Sequence, residues 1–247
     1  MYNSVQEEGK VGINAVTEGW AGRRLPWPLI RVVPARVFCA AAVALSVTWG
    51  CGSSHDHITN LDAPGEVIVC LGDSITQGHG ATPGKDYPSQ LAAMLGRRVV
   101  NAGRDGDTTE SALARLERDV LSHKPRLVII ELGGNDFLQR KPKDKTLANL
   151  DRIVSSCTDA GAMVAVVHFK CGILLSDPYL DGYKATAKRH GAAFVPRALK
   201  NIFGRPGRMT DPIHPNDDGY ALFAARVAAV VGPLLESADT RRARGSP

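Results

Sequence analysis

Short uninterrupted apolar runs, each closed by glycine or a polar cluster, recur along this chain and alternate with segments of helical periodicity. Residues 66–71 (EVIVCL) end at Gly72, residues 98–101 at Gly103, and residues 127–132 (LVIIEL) at Gly133-Gly134. Residues 163–168 (MVAVVH) and the short run 193–195 make five. A strand that is apolar on both sides must be covered on both faces, which is the situation of a strand inside a parallel sheet. The intervening segments supply the cover. Residues 87–95 read as a helix stopped by Gly96. Ala112, Leu113, Leu116 and Val120 share one helical face, and Asp107, three before Glu110, reads as a capping box for that helix. Leu147, Leu150, Val154 and Cys157 mark another helix, closed by Gly161. Residues 179–189 form the next, with Gly191 as its stop. Phe223, Val227, Val230, Val231 and Leu234 give an amphipathic helix near the end. The expected fold class is therefore α/β, a five-stranded parallel sheet with helices on both faces.

Crossovers in such a sheet are right-handed, and ligands bind beyond the carboxyl ends of the strands. The polar, glycine-bearing clusters at 72–76, 101–108 and 133–136 follow the first three strands. All three should meet at one edge. A composition of 44% hydrophobic and 22% charged residues excludes a disordered chain, a collagen and a polytopic membrane protein. The net charge of +5 is dispersed except at Arg241, Arg242 and Arg244. No basic face with interleaved aromatics is present, so a nucleic-acid partner is not expected.

The first fifty residues differ in character from the rest. Arg23, Arg24, Arg31 and Arg36 precede the uncharged apolar run 37–49, and Cys51 follows at once. A basic stretch, an apolar run of about 7–15 residues and then small residues is a signal-peptide pattern. The run is short for a membrane span, which takes about 20 residues. Residues 1–51 thus read as a signal or lipoprotein-type leader, with Cys51 as the lipidation candidate and membrane attachment as its consequence. Residues 52–64 read as a flexible tether, 65–238 as one domain and 239–247 as a basic disordered tail. His55-Asp56-His57 in the tether reads as solvated rather than metal-binding. The five cysteines, Cys39, Cys51, Cys70, Cys157 and Cys171, contain no CxxC pair, which argues against zinc or thioredoxin-like chemistry. Cys70 and Cys157 read as small buried apolar residues.

The chemistry lies in the clusters and one late pair. Ser74, in Gly72-Asp73-Ser74-Ile75-Thr76, stands on a turn at a strand end. Serine is a weak nucleophile until a base removes its proton. Asp211-Pro212-Ile213-His214 supplies a base and, three residues earlier, a carboxylate to orient it. Asn216, Asp217 and Asp218 read as the cap and first turn of the last helix, which would hold that pair rigidly. Donors for an oxyanion are offered by the Gly106 N–H, the Asn135 carboxamide and the Ser74 N–H. Asp73 and Asp136 are candidates for ordering the turns. Phe137 is a candidate to line a substrate pocket and Lys170 to meet a polar head or carboxylate. His168 reads as a packing residue.

These blocks resemble the SGNH (GDSL) hydrolase family: GDSIT at 72–76, the glycine at 106, GGND at 133–136 and DPIH at 211–214. The resemblance spans about residues 66–236. LGGNDFL at 132–138 and NAGRDGDTT at 101–109 are similar to the single-domain bacterial branch with lysophospholipase, thioesterase I and arylesterase activities. The resemblance implies a flavodoxin-like three-layer α/β/α sandwich with no metal or organic cofactor. It implies Ser74 as nucleophile, His214 as base, Asp211 as its partner, and Ser74, Gly106 and Asn135 as oxyanion donors. The expected activity is hydrolysis of carboxylic esters (short-to-medium acyl, aryl, lysophospholipid or thioester) by an exported enzyme. Two alternatives stay open: a carbohydrate O-acetyl esterase on the same triad, and a noncatalytic binding lipoprotein. Oligomeric state does not follow from the residues.

Overall fold

A computed structural model of the chain describes residues 55–170 and 177–245. The leader, with Cys39 and Cys51, lies outside them, as does Cys171. Five strands make one parallel sheet in the order β2-β1-β3-β4-β5: β1 Ile68–Gly72, β2 Val99–Gly103, β3 Leu127–Glu131, β4 Met163–Val167 and β5 Ala193–Val195. Every residue of β1, β3 and β4 is buried, which is why these runs carry no polar alternation. Only Ala102 of the edge strand β2 is buried. Each fully buried Val, Leu or Ile contributes about 1.5–3 kcal/mol. The continuous apolar runs are thus the main source of the core.

The helices are α1 Ser74–Gln77, α2 Tyr87–Leu95, α3 Thr109–Ala114, α4 Leu116–Asp119, α5 Gly134–Leu138, α6 Lys143–Asp159, α7 Leu180–Arg189 and α8 Asp217–Gly245. α2 packs on α8, while α6 packs on α3 and α7, giving a three-layer α/β/α sandwich. By length and composition α8 could cross a membrane. Its apolar stripe, Tyr220, Phe223, Ala224, Val227, Val231 and Leu234, is instead buried in the body. Cys70 and Cys157 are buried free thiols, and burial pushes both up to about 12.

The structure departs from the sequence-based expectations in four places. The helix after β2 is capped by Thr108, whose side chain and that of Ser111 form the box; Asp107 is drawn away to Arg115. That helix also breaks at Arg115, which leaves helical geometry so that its guanidinium can turn inward. Residues 55–64 are packed rather than a loose tether. Ile58, Leu61 and Ala63 are buried, and Asn60 Nδ2 donates to the Thr158 and Ala162 carbonyls at 2.7 and 3.0 Å at the end of α6. Residues 239–245 continue α8 rather than forming a disordered tail. The segment is tied to the body by ion pairs: Asp239 pairs with Arg97 and sits 2.7 Å from Arg126, a guanidinium only 2% exposed, and Arg242 reaches Glu66 at 2.9 Å.

Removing one partner of a buried charge leaves the other uncompensated. Asp239→Ala should therefore lower unfolding stability by about 1–3 kcal/mol, read as a fall in the urea midpoint. Asp56→Ala, which breaks an exposed contact with Arg241, should change it by less than about 0.5 kcal/mol.

Candidate active site

The clusters after β1, β2 and β3 meet at the carboxyl edge of the sheet, and the turn before α8 closes over them. Gly72 is demanded by crowding. A Cβ there would lie 1.9 Å from Thr76 Oγ1 and 2.6 Å from the Glu131 carbonyl oxygen. With no side chain at 72, the chain turns at once into α1. Asp73 caps that turn, accepting the Ile75 N–H at 3.0 Å. Ser74 thereby becomes the first residue of α1, where its own N–H has no partner within the helix.

Asp211 folds back on its own turn. Its Oδ1 accepts the N–H groups of Ile213 and His214 at 2.8 and 2.9 Å, and its Oδ2 accepts His214 Nδ1–H at 2.7 Å. The hydrogen bond from His214, with the backbone bonds behind it, holds the Asp211 carboxyl at about 2. An ionised carboxylate is an acceptor only, so the imidazole proton resides on Nδ1 and Nε2 is left as the acceptor. Ser74 Oγ lies 3.0 Å from that Nε2. The turn is fastened from both sides. Thr210 donates to the Gly80 carbonyl at 3.0 Å, Asn216 accepts Gly219 N–H at 3.1 Å as the α8 cap, and Asp217 accepts two bonds from Thr82 at 2.7–2.8 Å.

Asn135 stands in α5 after Gly133, whose φ of +104° is a left-handed conformation open to glycine. Its Nδ2 donates to the Asp107 carbonyl at 3.0 Å and to Asp73 Oδ2 at 3.3 Å. Gly106 sits in the turn just before α3, with φ +77°. Asp136 is buried and accepts Thr109 N–H at 2.8 Å, Thr109 Oγ–H at 2.6 Å and Thr146 Oγ–H at 3.2 Å, so it ties α5 to α3 and α6. His168 is fully buried, edge-on to Tyr183, with Nε2 3.3 Å from Asp177; burial lowers its pKa.

A groove of about 160 Å³ runs from Ser74 and His214 between Phe137, Leu138, Phe169 and Phe203, with Lys170 also lining it. Phe137 and Lys170 are therefore both placed at the groove. Four further residues escaped sequence reasoning. Arg115 is buried and donates to Asp107 at 2.5 Å and to the carbonyls of Ala102 and Gly72 at 2.8 and 3.2 Å. Glu131 is wholly buried at the end of β3. Arg197, beside the site, has φ +49°. His79 stacks on His214, ring centroids 4.1 Å apart. A buried arginine inside an amphipathic helix and a glutamate ending an apolar strand were the available signals.

Among the described residues, His79, Asp211 and His214 form the grouping with metal-ligand spacing, their ligand atoms all within 4.8 Å. The two rings are tilted by only 31°. Both ring nitrogens of His214 are already engaged, Nδ1 by Asp211 and Nε2 by Ser74 Oγ.

A family model described as the GDSL-like lipase/acylhydrolase family matches residues 70–222. The chain is 32% identical over 173 residues to an arylesterase of Vibrio mimicus, across 66% of this chain and 86% of that one. It is 29% identical over 180 residues to a thioesterase 1/protease 1/lysophospholipase L1 of Escherichia coli strain K12, across 70% and 86%. A solved structure of TesA superposes with a TM-score of 0.64 at 30% identity, covering 68% of this chain and 99% of that chain. With a five-stranded parallel sandwich and these relatives, the chain belongs to the GDSL-like lipase/acylhydrolase family, the SGNH hydrolases, and is a carboxylic ester hydrolase.

Proposed function

We propose that this ester hydrolase works through an acyl-enzyme on Ser74, a reading carried by the hydrogen-bonded series Asp211–His214–Ser74. Ser74 Oγ attacks the ester carbonyl carbon while its proton moves to His214 Nε2. The imidazolium that forms is stabilised by the Asp211 carboxylate. The tetrahedral oxyanion accepts the N–H groups of Ser74 and Gly106 and one N–H of Asn135. The 3.3 Å contact from Asn135 to Asp73 is long, and it is the bond that yields to the substrate oxygen. Collapse expels the alcohol or thiol, which takes the proton from His214. Water, deprotonated by His214, then attacks the acyl carbon and releases Ser74.

The groove walls are aromatic and aliphatic, a better fit for an acyl chain or aryl ring than for a sugar ester. Lys170 and Phe203 also line an adjoining cleft of about 490 Å³ with Arg197, Lys200 and one acid, Asp177, which sits 3.3 Å from His168 Nε2. An apolar groove opening beside three cations suits an acyl ester whose leaving group carries a phosphate, as a lysophospholipid does. The enzyme is proposed to act outside the cytoplasm, tethered through Cys51; the support is the leader pattern in the sequence.

Ser74→Ala should abolish turnover of p-nitrophenyl esters while circular dichroism stays that of wild type; residual turnover at the wild-type rate would sink the acyl-enzyme. Asn135→Ala should lower kcat by about 100- to 1000-fold with KM little changed. Arg197→Glu with Lys200→Glu should raise KM for a lysophospholipid by about three- to tenfold, as expected for exposed charge pairs. An uncharged ester of the same acyl length should be unaffected, and equal effects on both would remove the cleft from substrate recognition. In a bacterial host, Cys51→Ser should move the protein from the membrane fraction to the soluble envelope fraction, measured by fractionation and immunoblot. An unchanged distribution would refute the lipid anchor.

A further inference from the structure

Glu131 pairs with Gly72 in the register of β1 and β3, next to Asp73, and the two buried carboxyls interact. Both are buried: Glu131 is wholly so, and Asp73 is 3% exposed. Thr76 Oγ–H donates to Glu131 Oε2 at 2.8 Å, but Oε1 is buried with no hydrogen-bond partner among the described residues. The peptide N–H of Asp73 also faces this carboxyl, outside hydrogen-bond geometry for Oε1. A charged Glu131 would leave one oxygen desolvated and unmatched, next to a second carboxylate. Two carboxylates in contact cannot both hold their charge in a buried site.

We propose that Glu131 is held as the neutral acid and donates a hydrogen bond from Oε1 to Asp73, which makes it a positioning residue for the Ser74–Asn135 site. The count of donors places the proton. Asp73 receives two N–H groups, from Ile75 at 3.0 Å and from Asn135 at 3.3 Å, and so carries the charge better. Glu131 receives one hydroxyl within hydrogen-bond geometry, and the Asp73 peptide N–H faces it without reaching Oε1. Its proton matches the orphaned Oε1 and removes the repulsion in one step. The surroundings act in the same direction. Asp107 and Asp136 face the pair from the turn before α3 and from α5. Cys70 of β1 and Tyr87 of α2 are uncharged acids, pushed up by burial, as is Tyr220 of α8. Arg115, from the end of α3, is engaged by Asp107 and the carbonyls of Gly72 and Ala102. Burial raises both carboxyls, so the pair does not hold two charges. Asp73 can then hold the first turn of α1, which carries Ser74, and, until a substrate oxygen takes that N–H, the carboxamide of Asn135. This inference rests on the reading of Ser74 and Asn135 as catalytic machinery.

The test is made on the full chain with wild type, Glu131→Gln and Glu131→Leu. The folded pKa of Glu131 is raised, so its stabilising effect is complete below the unfolded carboxyl value and is lost as pH rises. Between about pH 5 and 7 the unfolded chain loses this proton and the native protein keeps it. The unfolding constant of wild type, relative to Glu131→Gln, should then rise about tenfold per pH unit, the signature of one proton. In ester hydrolysis Glu131→Gln, whose amide also donates, should keep kcat within about threefold, whereas Glu131→Leu should lose about 30-fold in kcat with KM within threefold. A ratio of unfolding constants that is flat with pH would overturn the neutral acid. Equal losses in both variants would overturn the donated bond, and a fully active Glu131→Leu would reduce the residue to packing. Should Glu131→Leu fail to fold, the unfolding comparison decides alone. That comparison reads the proton even if Ser74 proves not to be the nucleophile.

Discussion

Arg115 is buried at the carboxyl edge of the sheet, where its guanidinium reaches Asp107 and the carbonyls of Gly72 and Ala102. The segments leaving β1 and β2 bring a buried carboxylate, Asp107, and carbonyls with acceptor capacity to spare out of water. Such groups are expensive to bury without partners. One planar cation with five N–H donors satisfies several of them together and so fixes the ends of β1 and β2 against the start of α3. The site is built on that arrangement. Asp107 is held by Arg115, and its carbonyl in turn receives Asn135. Asp73 receives the other N–H of the same carboxamide. The loops of β1, β2 and β3 are therefore linked through polar side chains as well as through the sheet.

The hydrogen-bonded Asp211–His214 pair arrives from elsewhere. His214 and Asp211 lie on a turn whose geometry is local, because Asp211 accepts two backbone N–H groups and the ring N–H within four residues. Its position relative to Ser74 is not local, since 140 residues separate the two in the chain. Thr82, Gly80 and the cap of α8 hold the turn in place. The burial of α8 along the sheet supplies the rigid frame, and Asp239 extends that frame to the end of the helix by neutralising Arg126.

Sequence reading reached the fold, and it singled out candidate site residues that the fold gathers at one edge, because both readings depend on short-range regularities. The strand runs are apolar on every residue, and the clusters at 72–76 and 211–214 keep their chemistry within a few positions. It fell short where a single side chain overrides local preference. Thr108 displaced Asp107 as a cap because Arg115, eight residues on, claims the Asp107 carboxylate. Residues 239–245 carry the composition of a solvated tail, yet they continue α8, with Asp239 facing two arginines and Arg242 facing Glu66. Residues 55–64 are small and polar overall, yet Ile58 and Leu61 find the core and Asn60 finds two open carbonyls at the end of α6.

The sequence by itself determined the parallel α/β class, the edge at which the polar clusters gather and the candidates Ser74, Asn135, Asp211 and His214. Period and spacing are properties of the chain, and the rule that ligands bind at the carboxyl ends of parallel strands needs nothing more. Only the tertiary structure decided which carboxyl groups share a buried environment. Glu131 reads in sequence as a polar residue ending a strand, and Asp73 as a turn residue beside a serine. Their contact follows from the register that sets Gly72 opposite Glu131, and register is fixed by packing across the whole sheet. The same holds for the apolar groove and its cationic neighbour. Phe137, Phe203, Arg197 and Lys200 come from separate loops, and only the folded sheet brings them to one mouth.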